Sequence, residues 1–261
     1  MFNSNQFRQV PWRDLIGLSR FEVAKELLLP LPWLAVSLLL ASRGQYLAAV
    51  PVSVWFFLAG LRQIHDACHY NLGISRRATE WVLGALSVMM LGSSHAVQFN
   101  HLRHHGHCMK EEDVEARSAR MEWWRAILWG PIFPILTHRT ALRLGRPRER
   151  RWVRWELAGN VLWVVLVFGV LRWPVLEYHA AAMAVGHCFT AFFAVWTVHH
   201  DTEDAPYPAR TIRNRFKRMI VLNMFFHAEH HLFPKVPTCH LPELARRLDR
   251  TLPELRLKRV Y

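Results

Sequence analysis

The sequence predicts an all-α integral membrane protein, a four-helix transmembrane bundle under a histidine-rich cytosolic cap. Three observations predict it. Hydrophobic residues make up 52% of a chain in which 33 of 261 residues are Lys or Arg, a combination that fits apolar residues bunched into spans with basic residues beside them. Four apolar runs are separated by polar or basic segments. Half of the 16 histidines fall into three clusters, His65/His69, His101/His104/His105 and His227/His230/His231, spaced three or four residues apart. That spacing puts imidazoles on one face of a helix.

Residues 1–26 read as a lead-in of mixed charge, with Trp12 and Phe21 as interfacial anchors. The first run, about 27–42, is short for the roughly 20 residues a span needs, and Pro30 and Pro32 stand near its start. Arg43-Gly44-Gln45 makes a tight turn, and the second span, 46–64, returns the chain to its starting side just before His65. The stretch 81–92 is apolar but too short to cross, and reads as an interfacial or re-entrant helix. Residues 121–136 mix Trp123, Trp124 and Trp129 with Pro131 and Pro134, which suits the headgroup layer. The basic stretch 139–154 reads as a loop at the membrane face. Spans three and four are 157–171 and 175–198, joined by Arg172-Trp173-Pro174, and the chain beyond is polar and basic apart from an apolar patch at 219–226. The whole, 1–261, reads as one membrane-embedded domain.

Charge sets the sidedness. With the N-terminus inside, the two outer turns hold only Arg43 and Arg172 of the 33 Lys and Arg, which satisfies the positive-inside rule. Both termini and all three histidine clusters then lie in the cytosol. The net charge of +13 calls for an anionic partner; no segment reads as a nucleic-acid module, so the partner is a lipid surface or an acidic protein. The cysteines, Cys68, Cys108, Cys188 and Cys239, are scattered without a C-x-x-C pair, as reduced cytosolic thiols would be.

Imidazole suits iron, zinc and copper. Eight clustered imidazoles exceed what one ion uses, so two ions are implied. The Glu-x-x-His pattern of soluble di-iron bundles is absent, which points to a membrane-type site.

His65-Asp66-Ala67-Cys68-His69, His101-Leu102-Arg103-His104-His105 and His227-Ala228-Glu229-His230-His231-Leu232-Phe233-Pro234-Lys235-Val236-Pro237, with Ser75-Arg76-Arg77 and Leu241-Pro242-Glu243-Leu244 following the outer two, resemble the histidine boxes of the membrane fatty acid desaturase superfamily from about Leu61 to Arg247. The resemblance implies a di-iron centre of two Fe ions, held by His65, His69, His101, His104, His105, His227, His230 and His231. It implies O2 and two electrons used against a C–H bond of a fatty acyl chain or acyl lipid, to introduce a double bond. Hydroxylases and ketolases of lipids or carotenoids and oxidative decarboxylases share such boxes. Electrons would come from a separate ferredoxin or cytochrome b5-like donor. A non-redox membrane metal-binding protein is the alternative of another class.

Relatives use one further histidine just past the last span. His200 is the choice here, by its distance to Pro206, with His199 as a flanking group. Some relatives have an Asn four residues earlier; Trp196 stands there in this chain, and Asn223 is a substitute candidate. His107 and His95 are further candidates near the centre. Asp66, Asp113, Glu115 and Glu229 are candidate carboxylates for orienting imidazoles.

Overall fold

The computed structural model describes residues 7–202, 205, 207–255 and 257–260. Helices dominate: the strands among the described residues are a two-residue parallel pair, Arg210–Thr211 (β1) with Lys258–Arg259 (β2). Four helical segments are long and apolar enough to cross a membrane: Arg20–Ser42, Tyr46–Cys68, Pro147–Leu171 and Pro174–His199.

The first span starts earlier than its apolar run suggests. Helix α1, Arg20–Leu28, opens on a capping box in which Ser19 and Glu22 satisfy each other's backbone N–H groups. It continues after Leu29-Pro30 as α2, Leu31–Ser42. Pro30 has no N–H to offer the turn before it, and Gln63 of α3 (Tyr46–Cys68) donates its side-chain amide to Glu26 O and Leu27 O, both at 3.0 Å. Arg62, also on α3, pairs with the buried Glu26 at 2.6 Å. The proline break is thus tied to the second span.

Helix α4, Arg76–Met90, and α5, Ser94–His107, are bent by 114° against each other, as the short apolar run at 81–92 requires. Leu91 makes the corner at φ 55°, and Ser93 caps α5 by accepting from Ala96 N. Gly92 fits because a Cβ there would stand 2.7 Å from the His187 ring.

Helices α6, Trp123–Trp129, and α7, Ile132–Leu144, follow. They leave Trp123, Trp124, Leu128 and Ile135 exposed, as the headgroup layer favours. The basic stretch is helical rather than a loop. Residues 139–144 finish α7, Gly145 makes a sharp turn, and α8, Pro147–Val165, starts at once with Pro in its first turn. A charged first turn is no obstacle to a helix whose arginines reach outward. Helix α8 ends in a π-turn, Leu166–Leu171.

Helix α9, Pro174–Thr190, ends in a second π-turn, Ala191–Trp196, and a last turn, Thr197–His199. It approaches α3 closely: a Cβ at Gly186 would meet the Phe57 ring at 2.7 Å. Beyond it lie α10, Arg215–Ile220, α11, His227–Leu232, and α12, Leu241–Thr251. Leu241, Leu244, Ala245 and Leu248 form one apolar stripe on α12 and bury it against Phe226, Phe233, Val236, Val10 and Leu15. This packing seats the last histidine cluster beneath the C-terminal helix and the N-terminal segment.

Candidate metal centre

Each cluster comes from a helix end. His65 and His69 close α3, His101, His104 and His105 occupy the last two turns of α5, and α11 holds His227, His230 and His231. Two groups of four imidazoles result, with their ligand atoms within 4.8 Å of one another: His69, His101, His105 and His230 in one, His104, His199, His227 and His231 in the other. His65 lies against both, its ring centroid 4.0 Å from His230, 4.7 Å from His101 and 6.1 Å from His227.

The sequence reading of the ninth position needs correction. His199, 1% exposed, faces the second group. His200 turns away, donating Nδ1–H to Ala119 O at 2.9 Å and stacking on Trp196 at 4.4 Å. Neighbours on a helix point about 100° apart, so one of the pair had to face out. The π-turn just before them inserts a residue and sets which one, and a count to Pro206, which lies outside the described residues, does not register it. Four residues before His199 stands Val195, buried and apolar, so the departure from an Asn at that step holds for either choice.

The other candidates separate. Asp113 Oδ2 accepts from His104 Nδ1 at 2.7 Å, and Glu115 Oε1 from His101 Nδ1 at 3.1 Å. Asp66 orients no imidazole; it accepts from Thr238 N at 3.0 Å and Thr238 Oγ1 at 2.8 Å, tying α3 to the loop after α11. Glu229, on the far side of α11, faces Thr211 at 2.9 Å and Arg213 at 2.8 Å. His107 bonds Arg103 O at its own helix end. His95 bonds Glu156 in a separate cluster. Asn223 closes the turn after α10 at φ 63°, its N–H donated to Arg218 O. Cys108, which the sequence reading left aside, sits with Asp113 beside His104, its Sγ 3.9 Å from Nε2; its place four residues after His104 was the available signal.

Tautomers show what the centre can hold. A carboxylate and a carbonyl only accept, so His104 gives Nδ1–H to Asp113, and His199 gives its own to Pro208 O at 2.6 Å. Their Nε2 atoms face each other at 3.0 Å, each with a lone pair and neither with a hydrogen while both rings are neutral. His199–His227, His227–His231 and His104–His231 repeat the approach at 2.8, 3.0 and 3.2 Å. In the other group His105 Nε2 lies 3.0 Å from His230 Nε2 and 3.2 Å from His101 Nε2. Converging lone pairs repel unless a cation sits among them. Two nitrogens each about 2.1 Å from one ion and at right angles are about 3.0 Å apart. Both nitrogens of His65, Nε2 of His69 and Nδ1 of His230 are buried with no hydrogen-bond partner. The donor set therefore fits metal ions. Burial holds His227, His230 and His231 well below the usual imidazole pKa, and lowers His69 to about 3, so these rings are neutral donors at neutral pH.

A cavity of about 100 Å³ reaches His65, His101 and His227 and is walled largely by apolar side chains, among them Leu61, Met90, Phe133 and Val195. A second, about 370 Å³, lies between α3 and α9 around Val54, Phe57 and Val185. Leu61 and Thr190 line both.

No curated protein matches the chain. The sequence profile described as fatty acid desaturase matches residues 29–261. That match spans the four candidate spans from the body of the first onward and every histidine of the two groups, and the chain belongs to the fatty acid desaturase family.

Proposed function

We propose that the protein is an O2-dependent di-iron oxidoreductase that introduces a double bond into a fatty acyl chain or acyl lipid. The observation that supports this most is the meeting of nine imidazoles, six of them buried, with an apolar cavity that reaches His65, His101 and His227. His65, His69, His101, His104, His105, His199, His227, His230 and His231 would hold two iron ions. The irons supply an oxidant strong enough for an unactivated C–H bond, which no side chain provides. Asp113 and Glu115 fix the rings of His104 and His101 through Nδ1 and keep each Nε2 free to bind. The apolar walls bind a hydrocarbon chain and keep water from it. Leu61 and Thr190, at the joint of the two cavities, limit how far the chain runs between α3 and α9.

The chain acts as a single membrane-embedded domain with both termini and the centre in the cytosol, because only Arg43 and Arg172 occupy the two outer turns. Electrons come from a separate acidic donor, ferredoxin or cytochrome b5-like, which the basic cytosolic face suits. Purified protein loaded with iron, given O2, a reducing donor and acyl lipid, should yield an unsaturated product with about two Fe per chain. A hydroxylated product would move the reading to oxygen insertion. Zinc alone with no O2 uptake would leave a metal-binding protein.

A further inference from the structure

A second buried polar cluster lies at the corner between α4 and α5, outside both imidazole groups. His95, 4% exposed, gives Nδ1–H to Glu156 Oε1 at 2.6 Å and lies flat on Trp152 at 4.7 Å. Its Nε2 faces Glu80 Oε2 at 3.5 Å and has no hydrogen-bond partner. Glu156 Oε2 accepts from Ser93 Oγ at 2.5 Å and from His95 N at 3.2 Å. Glu80 accepts from Tyr70 OH at 2.8 Å and from Arg148 at 3.0 Å. The Arg148 side chain is 69% exposed, whereas Glu80, His95, Glu156 and Ser93 are all buried. At the inner end Ser93 lines the cavity that reaches His65, His101 and His227, beside His138, which takes the Ser93 N–H. The cluster therefore runs unbroken from solvent to the cavity, save for the 3.5 Å step at His95 Nε2.

Helix capping explains Ser93. It does not explain two carboxylates and an imidazole in one buried row, a costly choice where a hydroxyl or amide would hold the corner. Rows of Glu and His inside membrane proteins are the usual means of moving protons. The proposed reaction needs them. One O2 takes two electrons from the donor protein and two protons from solvent; the substrate gives up two hydrogens, and a double bond and two waters result. Oxygen insertion needs the same two protons and yields one water. Both protons must enter a cavity whose largely apolar walls close it to bulk water.

We infer that Glu80, His95, Glu156 and Ser93 form the proton entry path to the cavity. A proton arriving from the Arg148 side passes from Glu80 to His95 Nε2. The Nδ1 proton moves to Glu156, and Ser93 releases its hydroxyl proton inward as it takes the one from Glu156. One proton crosses with the charge of the row unchanged, and the starting tautomer, with its proton on Nδ1, returns when the His95 ring turns over. The last stretch runs along α5 from Ser93 to His101, about 12 Å by helix rise, and the cavity, about 100 Å³, has room for about three waters. Charged or titratable groups facing the row are Glu156 on α8, Glu80 on α4 with Tyr70 and Arg148 behind it, and His138 on α7.

The demand for protons rests on the proposed function, but the path is testable without turnover. In zinc-loaded protein in lipid nanodiscs, which is diamagnetic and does not turn over, proton NMR would follow the His95 Nδ1–H, identified by its loss in His95→Gln. Rapid exchange with water in the unaltered chain, about tenfold or more slower in Glu80→Gln, is the expected result; slow exchange in the unaltered chain, or the same rate in both, overturns the path. In iron-loaded protein, Ser93→Ala and Glu156→Gln should keep their iron and their KM for lipid. They should lose about tenfold or more in kcat and show a larger solvent deuterium isotope effect, with Ser93→Thr restored. Loss of iron in those variants, or no rescue by Thr, would leave only a structural corner and overturn the inference. Absence of any O2-dependent product counts against the proposed function and leaves the exchange result standing.

Discussion

His104 and His199, on α5 and at the end of α9, point Nε2 atoms at each other from 3.0 Å, bare in the neutral rings because each gives its Nδ1–H to an acceptor behind it, Asp113 for one and Pro208 O for the other. The pair holds a place for a cation, and which histidine ends the last span decides whether that place exists.

His199→Ala should lose metal and product as severely as His104→Ala, while His200→Ala keeps most of both. Metal analysis of purified protein, with product assayed in parallel, checks it. The reverse order would return the ligand role to His200.

Asp113→Asn keeps the shape beside His104 and removes the carboxylate charge. It should weaken metal binding by about 10–100-fold with little change in folding. Competition with a chelator of known affinity reads the change, and an unchanged affinity would mean that the carboxylate contributes nothing to the centre.

The N-terminal segment should loosen as pH rises. His240 donates Nδ1–H to Leu15 O at 2.8 Å and faces Glu22 at 2.9 Å. Burial pulls its pKa down, but the carbonyl and the carboxylate outweigh it, and the folded value lies above the usual 6.5. A raised pKa means that the stabilisation is fully present below pH 6.5 and is lost as pH climbs through the folded value. Thermal unfolding in detergent should show the unaltered chain losing more stability above pH 6.5 than His240→Gln does; parallel curves would contradict it.

Leu61→Ala should open the joint between the two cavities and shift product toward longer chains or a different position. Leu61→Trp should close it and favour shorter ones. Product analysis with acyl chains of graded length would show the shift, and identical profiles would place the chain elsewhere.

Cysteines placed at Gly44 and Trp173 should react with an impermeant thiol reagent from outside the cell, and cysteines at Lys110 and Lys235 should not. Outside labelling at Lys235 would invert the arrangement.

Much of this was legible in the residues. Apolar run length located the second and fourth spans to within four residues at each end and the first and third at their outer ends, and helical spacing marked eight imidazoles, because both are local properties. What escaped was set by contacts between distant segments. The first span reaches back to Arg20 because Gln63 and Arg62 of α3 repair its proline break. The basic stretch is helical because Gly145 folds α7 onto α8. His199 replaces His200 through a π-turn that no periodicity announces. Asp66 and Glu229 sit beside box histidines in sequence yet serve packing, since a helix carries adjacent residues to different faces.

The tie between Asp66 and Thr238 joins residues 172 positions apart, and it has a consequence for biosynthesis. At about 5–20 residues per second, roughly ten to thirty seconds separate the emergence of the first histidines from that of the segment that shelters them. During this interval His65 and His69 are unsheltered and open to any metal the cell offers. The centre can be filled correctly only after its last helix has arrived, so loading follows translation, and a ribosome that stalls before His227 leaves a nascent chain with its first two histidine clusters and no closed site around them.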